Sequence, residues 1–347
     1  MGGLAGPPGP AQAGAETERS GGSSGRALLR GVVLPAVVGL INGAAFVAIY
    51  TAAFHAPVPH DLPLGVVAPA GQAQQIATQV TDAAPGRFTV EVLPDEAAAE
   101  HAVTSREEFG VLVLGGPKPQ LLVAGGNGQG TTQTVTQAFM PAMPTIGAMP
   151  ELRDLRPLVP GDSRGLAIFY AAFGVVLGGF LFGVASFQAA PKLQLRYRSA
   201  SVVLFAVAGG AVVGWLADVV YAALPAGWFT VSAIVALLAA SAAATAAMLF
   251  RLLGSAGQIV TAIGLVIIGN ATSTGNLPAQ FLPAWMEPFA HILPSGVAVR
   301  ALRGATYFDG DGVPTACWVL GLWAVVPLLV VAAVDAVSRR RTAARPT

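Results

Sequence analysis

Hydrophobic and polar positions along this chain fall into long blocks. Six apolar runs stand at 31–54, 166–188, 201–223, 229–250, 252–268 and 313–337, and polar residues 55–165 separate the first run from the rest. Crossing about 30 Å of hydrocarbon takes roughly 20 helical residues, and most of the runs are that long. In lipid only helices and closed barrels satisfy their own backbone hydrogen bonds, and the alternation of a barrel strand is missing here. The pattern predicts an all-α polytopic membrane bundle of six transmembrane helices with an inserted extracytoplasmic α/β domain.

Within the insert the period of the pattern shifts back and forth. Short apolar strands are expected at 64–68, 88–93, 109–114 and 120–124, and helices at 72–83, from Glu96 onward with Asp95 as N-cap, and at 131–140. Strands alternating with helices suggest a partly parallel sheet. Residues 60–140 are expected to fold alone, and the Pro-rich stretch 141–160 leads back to the membrane. Gly125-Gly126-Asn127-Gly128-Gln129-Gly130 resembles a phosphate loop only loosely, lacks the following Lys-Ser/Thr, and reads as a flexible turn. Residues 1–28 hold almost no large apolar side chain and are expected to form a disordered cytoplasmic tail.

Charge sets the orientation, because short basic loops stay cytoplasmic. Arg19, Arg26 and Arg30 precede the first run. Lys192, Arg196 and Arg198 fill the loop after the second, Arg251 follows the fourth, and Arg339, Arg340, Arg341 and Arg345 follow the last, in the basic tail 338–347. With six crossings all of these fall on one side, so both termini are expected in the cytoplasm and residues 55–165 outside. The localisation implied is the cell membrane, multi-pass, with the lipid bilayer as the first partner. The chain is 54% hydrophobic and 11% charged with a net charge of +1, which gives no footing for nucleic acid.

Catalytic chemistry is hard to find. Both lysines, Lys118 and Lys192, lie outside any P-loop, and H-E-x-x-H and G-x-S-x-G are missing. The single cysteine, Cys317, excludes an internal disulfide. His55, His60 and Asp61 lack a fourth ligand, so no metal or cofactor is expected, and the chain does not read as an enzyme. Asn42 is expected to bond a neighbouring helix, Asp335 to pair with Arg339–Arg341, and Asp218 to reach the outer interface. Four small-residue pairs, Gly39/Gly43, Gly174/Gly178, Gly179/Gly183 and Gly210/Gly214, would let helices approach closely, and the alanine-rich fourth run should pack inside.

Residues 271–312 are too apolar for a free loop and too rich in proline to span. Short re-entrant or interfacial helices at the outer face fit them, with Trp285 and Tyr307 in the headgroup zone. The order of one span, a polar α/β insert and five more spans, with Leu277-Pro278, Leu282-Pro283, Leu293-Pro294 and Ala301-Leu302-Arg303 before the last, resembles the membrane subunits of type-2 ABC exporters. Ala97-Ala98-Ala99-Glu100-His101-Ala102-Val103 leading into Phe109–Leu114 is similar to the phage-infection-protein-like branch. That resemblance implies a permease moving an unknown, amphipathic or lipid-like substrate outward, as a homodimer or a heterodimer with a related permease. A separate ATP-binding subunit would drive it. It places a coupling loop at 191–199, with Lys192, Arg196 and Arg198, and an outer gate hairpin at Pro278, Pro283, Pro294 and Arg303. The alternative is a non-transporting membrane protein whose external domain binds an envelope partner or serves in phage adsorption.

Overall fold

A computed structural model describes residues 29–191 and 193–343, with the side chains of residues 30 and 339–343 left out. The expected tail at 1–28, Lys192 and Arg345 lie outside the described residues. The chain divides into two units, Met1–Ala48 and Ile49–Thr347. The first holds a π-helical turn, Leu29–Val33, and most of α1 (Leu34–Phe54). Within it Asn42 Nδ2 donates to Val38 O at 2.9 Å, a bond inside its own helix, where a bond to a neighbouring helix was expected.

Five helices are long and apolar enough to cross a membrane: Gly31–Phe54, Ala167–Ala189, Leu195–Val220, Trp228–Leu253 and Val313–Ser338. The chain therefore has the makings of a polytopic helical membrane protein. The fifth expected span differs. The run at 252–268 begins inside α8 (Trp228–Leu253), which Gly254 ends at φ +60°, and a shorter helix, α9 (Ala256–Ala271), follows. Sixteen residues rise only about 24 Å, and a π-helical stretch, Ala262–Ile268, shortens α9 further.

α8 lies at the centre of the helices. α6 (Ala167–Ala189) and α7 (Leu195–Gly214) both pack on it, as does α12 (Val313–Ala343). Glycine makes the first two contacts possible. A β-carbon at Gly179 or Gly183 would sit 2.6 Å from Ala242 Cβ or Ala246 Cβ, and one at Gly210 would sit 2.6 Å from Ser232 O. Gly174 has nothing within 4 Å, so that position does not build an interface among the described residues. Ser241 Oγ donates to Leu320 O at 2.9 Å and ties α8 to α12.

The polar insert forms a five-stranded mixed sheet of order β2-β1-β3-β4-β5, from β1 (Leu62–Val67), β2 (Phe88–Val92), β3 (Gly110–Val113), β4 (Gln120–Val123) and β5 (Glu151–Asp154). β1 runs parallel to β2 and β3 because α2 (Ala70–Ala83) and α3 (Glu96–Ser105) supply the crossovers that parallel strands need. Asp95 caps α3, accepting from Ala98 N at 2.8 Å. β5 was not expected: it is short, polar and exposed, so no apolar pattern marks it. Backbone pairing to β4 and the bonds from Arg153 to Glu96 and Glu100 hold it.

Both faces of the sheet are covered, which explains why β1 and β3 read as nearly continuous apolar runs. Leu64, Val66, Leu112, Leu121 and Val123 pack with Ile76 and Val80 of α2, with Val135 of α4 (Gln129–Ala138) and with Ile146 of the short α5 (Met143–Ile146). Val111, Val113 and Leu122 on the opposite face share a core with Ala99, Val103, Ile168, Leu238 and Leu302. The sheet is thus fused to the helices through one hydrophobic core, and residues 60–140 do not form a self-contained unit.

Candidate functional site

Two polar places interrupt the apolar helices, at opposite ends of α6. At the end away from the sheet, a cleft of about 730 Å³ lies between the α6–α7 loop, the α8–α9 turn and α12. Pro191, Gln194, Arg196, Arg198, Arg251 and Asp335 line it. Arg251 donates to Asp335 Oδ1 through Nε at 2.9 Å and Nη2 at 2.7 Å. Asp335 therefore pairs with Arg251 across two helices, while the side chains of Arg339–Arg341, its expected partners, lie outside the described residues.

Of the expected coupling residues, Arg196 and Arg198 separate here. Arg198 is 5% exposed, with Nη2 donating to Ala190 O at 3.0 Å and Nη1 to Ser186 Oγ at 3.3 Å. It closes the last turn of α6, where carbonyls lose their intrahelical partners. Its role is to hold the loop. Arg196 is exposed, its guanidinium 4.6 Å from the ring of Tyr197, and stays available at the cleft. Among the described residues of 191–199, Pro191, Leu193 and Gln194 are non-helical and Leu195 opens α7, so no helix separate from α7 is seen there.

The second place is where the sheet meets the segment between α9 and α12. That segment holds a 3-10 turn (Ala279–Phe281), α10 (Glu287–Ile292) and α11 (Pro294–Tyr307). Pro278 precedes the 3-10 turn. The carbonyl of Pro283 accepts from Met286 N and Glu287 N to open α10, and Pro294 starts α11, where the lost N–H would be unpaired anyway. α11 is buried along nearly its whole length among α6, α8 and α12, so it is neither a surface helix nor a free hairpin. Tyr307 is 6% exposed and lies inside rather than in a headgroup zone, whereas Trp285 is exposed.

Arg303, expected at an outer gate, is 2% exposed. Its Nη1 donates to Thr274 O and its Nη2 to Gly275 O, both at 2.9 Å, which clamps the turn after α9. Thr274 sits at φ +60°, an uncommon conformation for a side-chain-bearing residue, and the clamp helps keep it there. None of the acidic residues bonds Arg303 among the described contacts. Of the expected hairpin residues, Pro278 and Arg303 line one cavity with Thr274, and Arg303 pins that turn, whereas Pro283 and Pro294 stand at the starts of α10 and α11.

The glycine run at 125–130 is not a flexible turn. Gly125–Asn127 form a buried 3-10 turn at the end of β4, with Asp154 Oδ1 accepting from Gly125 N at 2.8 Å. A β-carbon at Gly126 would meet the Tyr307 ring at 2.6 Å, and one at Gly130 would meet Leu277 at 2.8 Å. The spacing of glycines is a signal of close backbone approach. Here it joins the sheet to α11. Arg106 and Asp311 also join these parts, at 3.0 Å, with the Arg106 guanidinium 5.0 Å from the Phe308 ring. His60 Nε2 and Glu287 Oε2 stand 3.2 Å apart beside them. Among the described residues no group of three or more His, Cys, Asp or Glu is placed to hold a metal ion.

No family model, no curated protein and no solved structure matches the chain.

Proposed function

We propose that this chain is the membrane-spanning subunit of an exporter driven by a separate ATP-binding subunit, moving an amphipathic or lipid-like substrate outward. The observation that carries the reading is the cleft lined by Pro191, Gln194, Arg196 and Arg251, a concave basic surface at the end of the helices that bears the short arginine-rich loops. Such loops stay cytoplasmic, which would put the cleft where an ATPase can reach it. Arg198 fixes the loop from behind and Arg196 remains exposed, as a docking contact requires.

Six crossings with both termini cytoplasmic, and the sheet outside, follow from the same orientation. The course of α9 supports this. Gly257 packs against Leu249 next to the cleft, and Ala271 packs with Leu282 and Met286 beside the sheet. A short helix can cross by thinning the bilayer or by burial among its neighbours. Leu181, Leu204, Val207 and Leu322 are exposed apolar residues on α6, α7 and α12, which suits lipid or a second copy of a permease.

The test is purification of the native complex from membranes followed by an ATPase assay. Recovery of a P-loop ATPase in stoichiometric amount supports the exporter. A complex holding only an envelope partner of the sheet, with no hydrolysis, overturns it and favours the non-transporting alternative.

A further inference from the structure

A cavity of about 150 Å³ lies between the sheet and the segment before α12, and its chemistry does not belong to packing alone. Arg106, Arg300 and Arg303 line it with His291 and Asn127. Arg300 and His291 are exposed and form the mouth, and Asn127 and Arg303, 1% and 2% exposed, form the floor. Asp311 accepts from Arg106 at 3.0 Å and from Arg300 at 3.4 Å, so one carboxylate is shared by two guanidinium groups, and no carboxylate bonds the third, Arg303, among the described contacts. The cavity keeps an excess of two positive charges.

Its polar groups are also unfinished. Both side-chain atoms of Asn127 and the Nε of Arg303 are buried without a hydrogen-bond partner. An unpaired buried polar group costs about 1–3 kcal/mol, so such groups need an explanation. The backbone of Asn127 is fully used, its N–H on Ala124 O and its carbonyl on Thr131 Oγ1, which aims the side chain without pairing it.

We propose that this cavity binds one phosphate-type oxyanion. Arginines arriving from the end of α3 and from successive turns of α11 offer donors in several directions, which suits a tetrahedral anion with acceptors all round. The Asn127 amide adds a neutral donor at the floor. The volume admits the anion itself, with any larger group left outside the mouth. The anion is either the headgroup of a phospholipid or a soluble phosphate. This site stands whether or not the chain is an exporter, since binding alone defines it.

The experiment measures thermal unfolding and calorimetric binding of the full chain in neutral detergent, with inorganic phosphate and with short-chain phosphatidic acid as probes and acetate as control. Phosphate or phosphatidic acid is expected to raise the melting temperature while acetate does not. Asn127→Asp places a fixed negative charge on the floor without changing its size. It is expected to raise the melting temperature of the free protein and abolish the ligand-induced rise. Arg300→Gln, at the exposed mouth, is expected to weaken binding by at least about tenfold, the worth of one charge-assisted bond. Phosphatidic acid acting at far lower concentration than inorganic phosphate identifies a lipid headgroup, and equal potency identifies a soluble phosphate. No response to either probe, an equal response to acetate, or unchanged binding in both variants overturns the proposal.

Discussion

Gly126 lies flat against the ring of Tyr307, so close that a β-carbon at position 126 would stand 2.6 Å from the ring. The contact joins the end of β4 to the last turn of α11, and with Arg106–Asp311 and Arg156–Asp309 it ties the sheet to the helices. Gly126→Ala should therefore destabilise the protein by about 1–3 kcal/mol, as overpacking does in a filled core. Protease should then cut between sheet and helices sooner than in the wild type. Gly116, exposed in the β3–β4 turn, should accept alanine without measurable loss.

The small-residue pairs separate by the same reasoning. Gly179 faces Ala242 Cβ and Gly183 faces Ala246 Cβ, whereas Gly174 meets nothing within 4 Å. Gly179→Leu should force α6 off α8 and lower the melting temperature clearly. Gly174→Leu should leave it unchanged, or raise it slightly because helix propensity improves. Equal effects at the two positions would contradict this packing.

Glu108 gives a pH signature. Burial first, then the neighbouring charges of Glu91 and Glu107, push its carboxyl from 4.5 up to about 7. A raised carboxyl favours the folded state while it is protonated. That stability is fully present below about pH 4.5 and is lost as pH rises through about 7. Glu108→Gln should match the wild type near pH 4.5 and exceed it at pH 8 by about 1–2 kcal/mol after solvent screening. Melting curves at the two pH values check it.

At the cleft, Arg196 and Arg198 should behave differently. Arg198→Gln removes the bonds to Ala190 O and Ser186 Oγ and should lower stability. Arg196→Glu should leave stability intact and weaken association with an ATP-binding subunit several-fold, most at low ionic strength, as exposed charges do. Co-purification at two salt concentrations separates the effects.

Much of the fold was legible because it follows from periodicity. The long apolar runs and four of the five strands announce themselves by burial on one or both faces, and Asp95 announces the start of α3. What escaped lacks a periodic signal. β5 is polar and exposed, and Gly254 breaks an apolar stretch that looks continuous by hydropathy alone. The clefts were less legible still. Arg198 and Arg303 draw attention through the family resemblance, but their bonds, to Ala190 O and Ser186 Oγ and to Thr274 O and Gly275 O, follow no pattern in the sequence. Asn127 carries no signal in sequence because glycine runs so often mark turns, and only its place on the cavity it shares with the segment before α12 gives it meaning.

Everything proposed for the cleft depends on its facing the cytoplasm. Reporters inserted at exposed positions, Gly116 in the β3–β4 turn and Gln194 beside the cleft, measure this directly in intact cells. The orientation argued here predicts activity outside the cell for the insertion at Gly116 and inside for the one at Gln194. An external signal at Gln194 would place the cleft beyond the reach of an ATP-binding subunit and contradict the exporter reading.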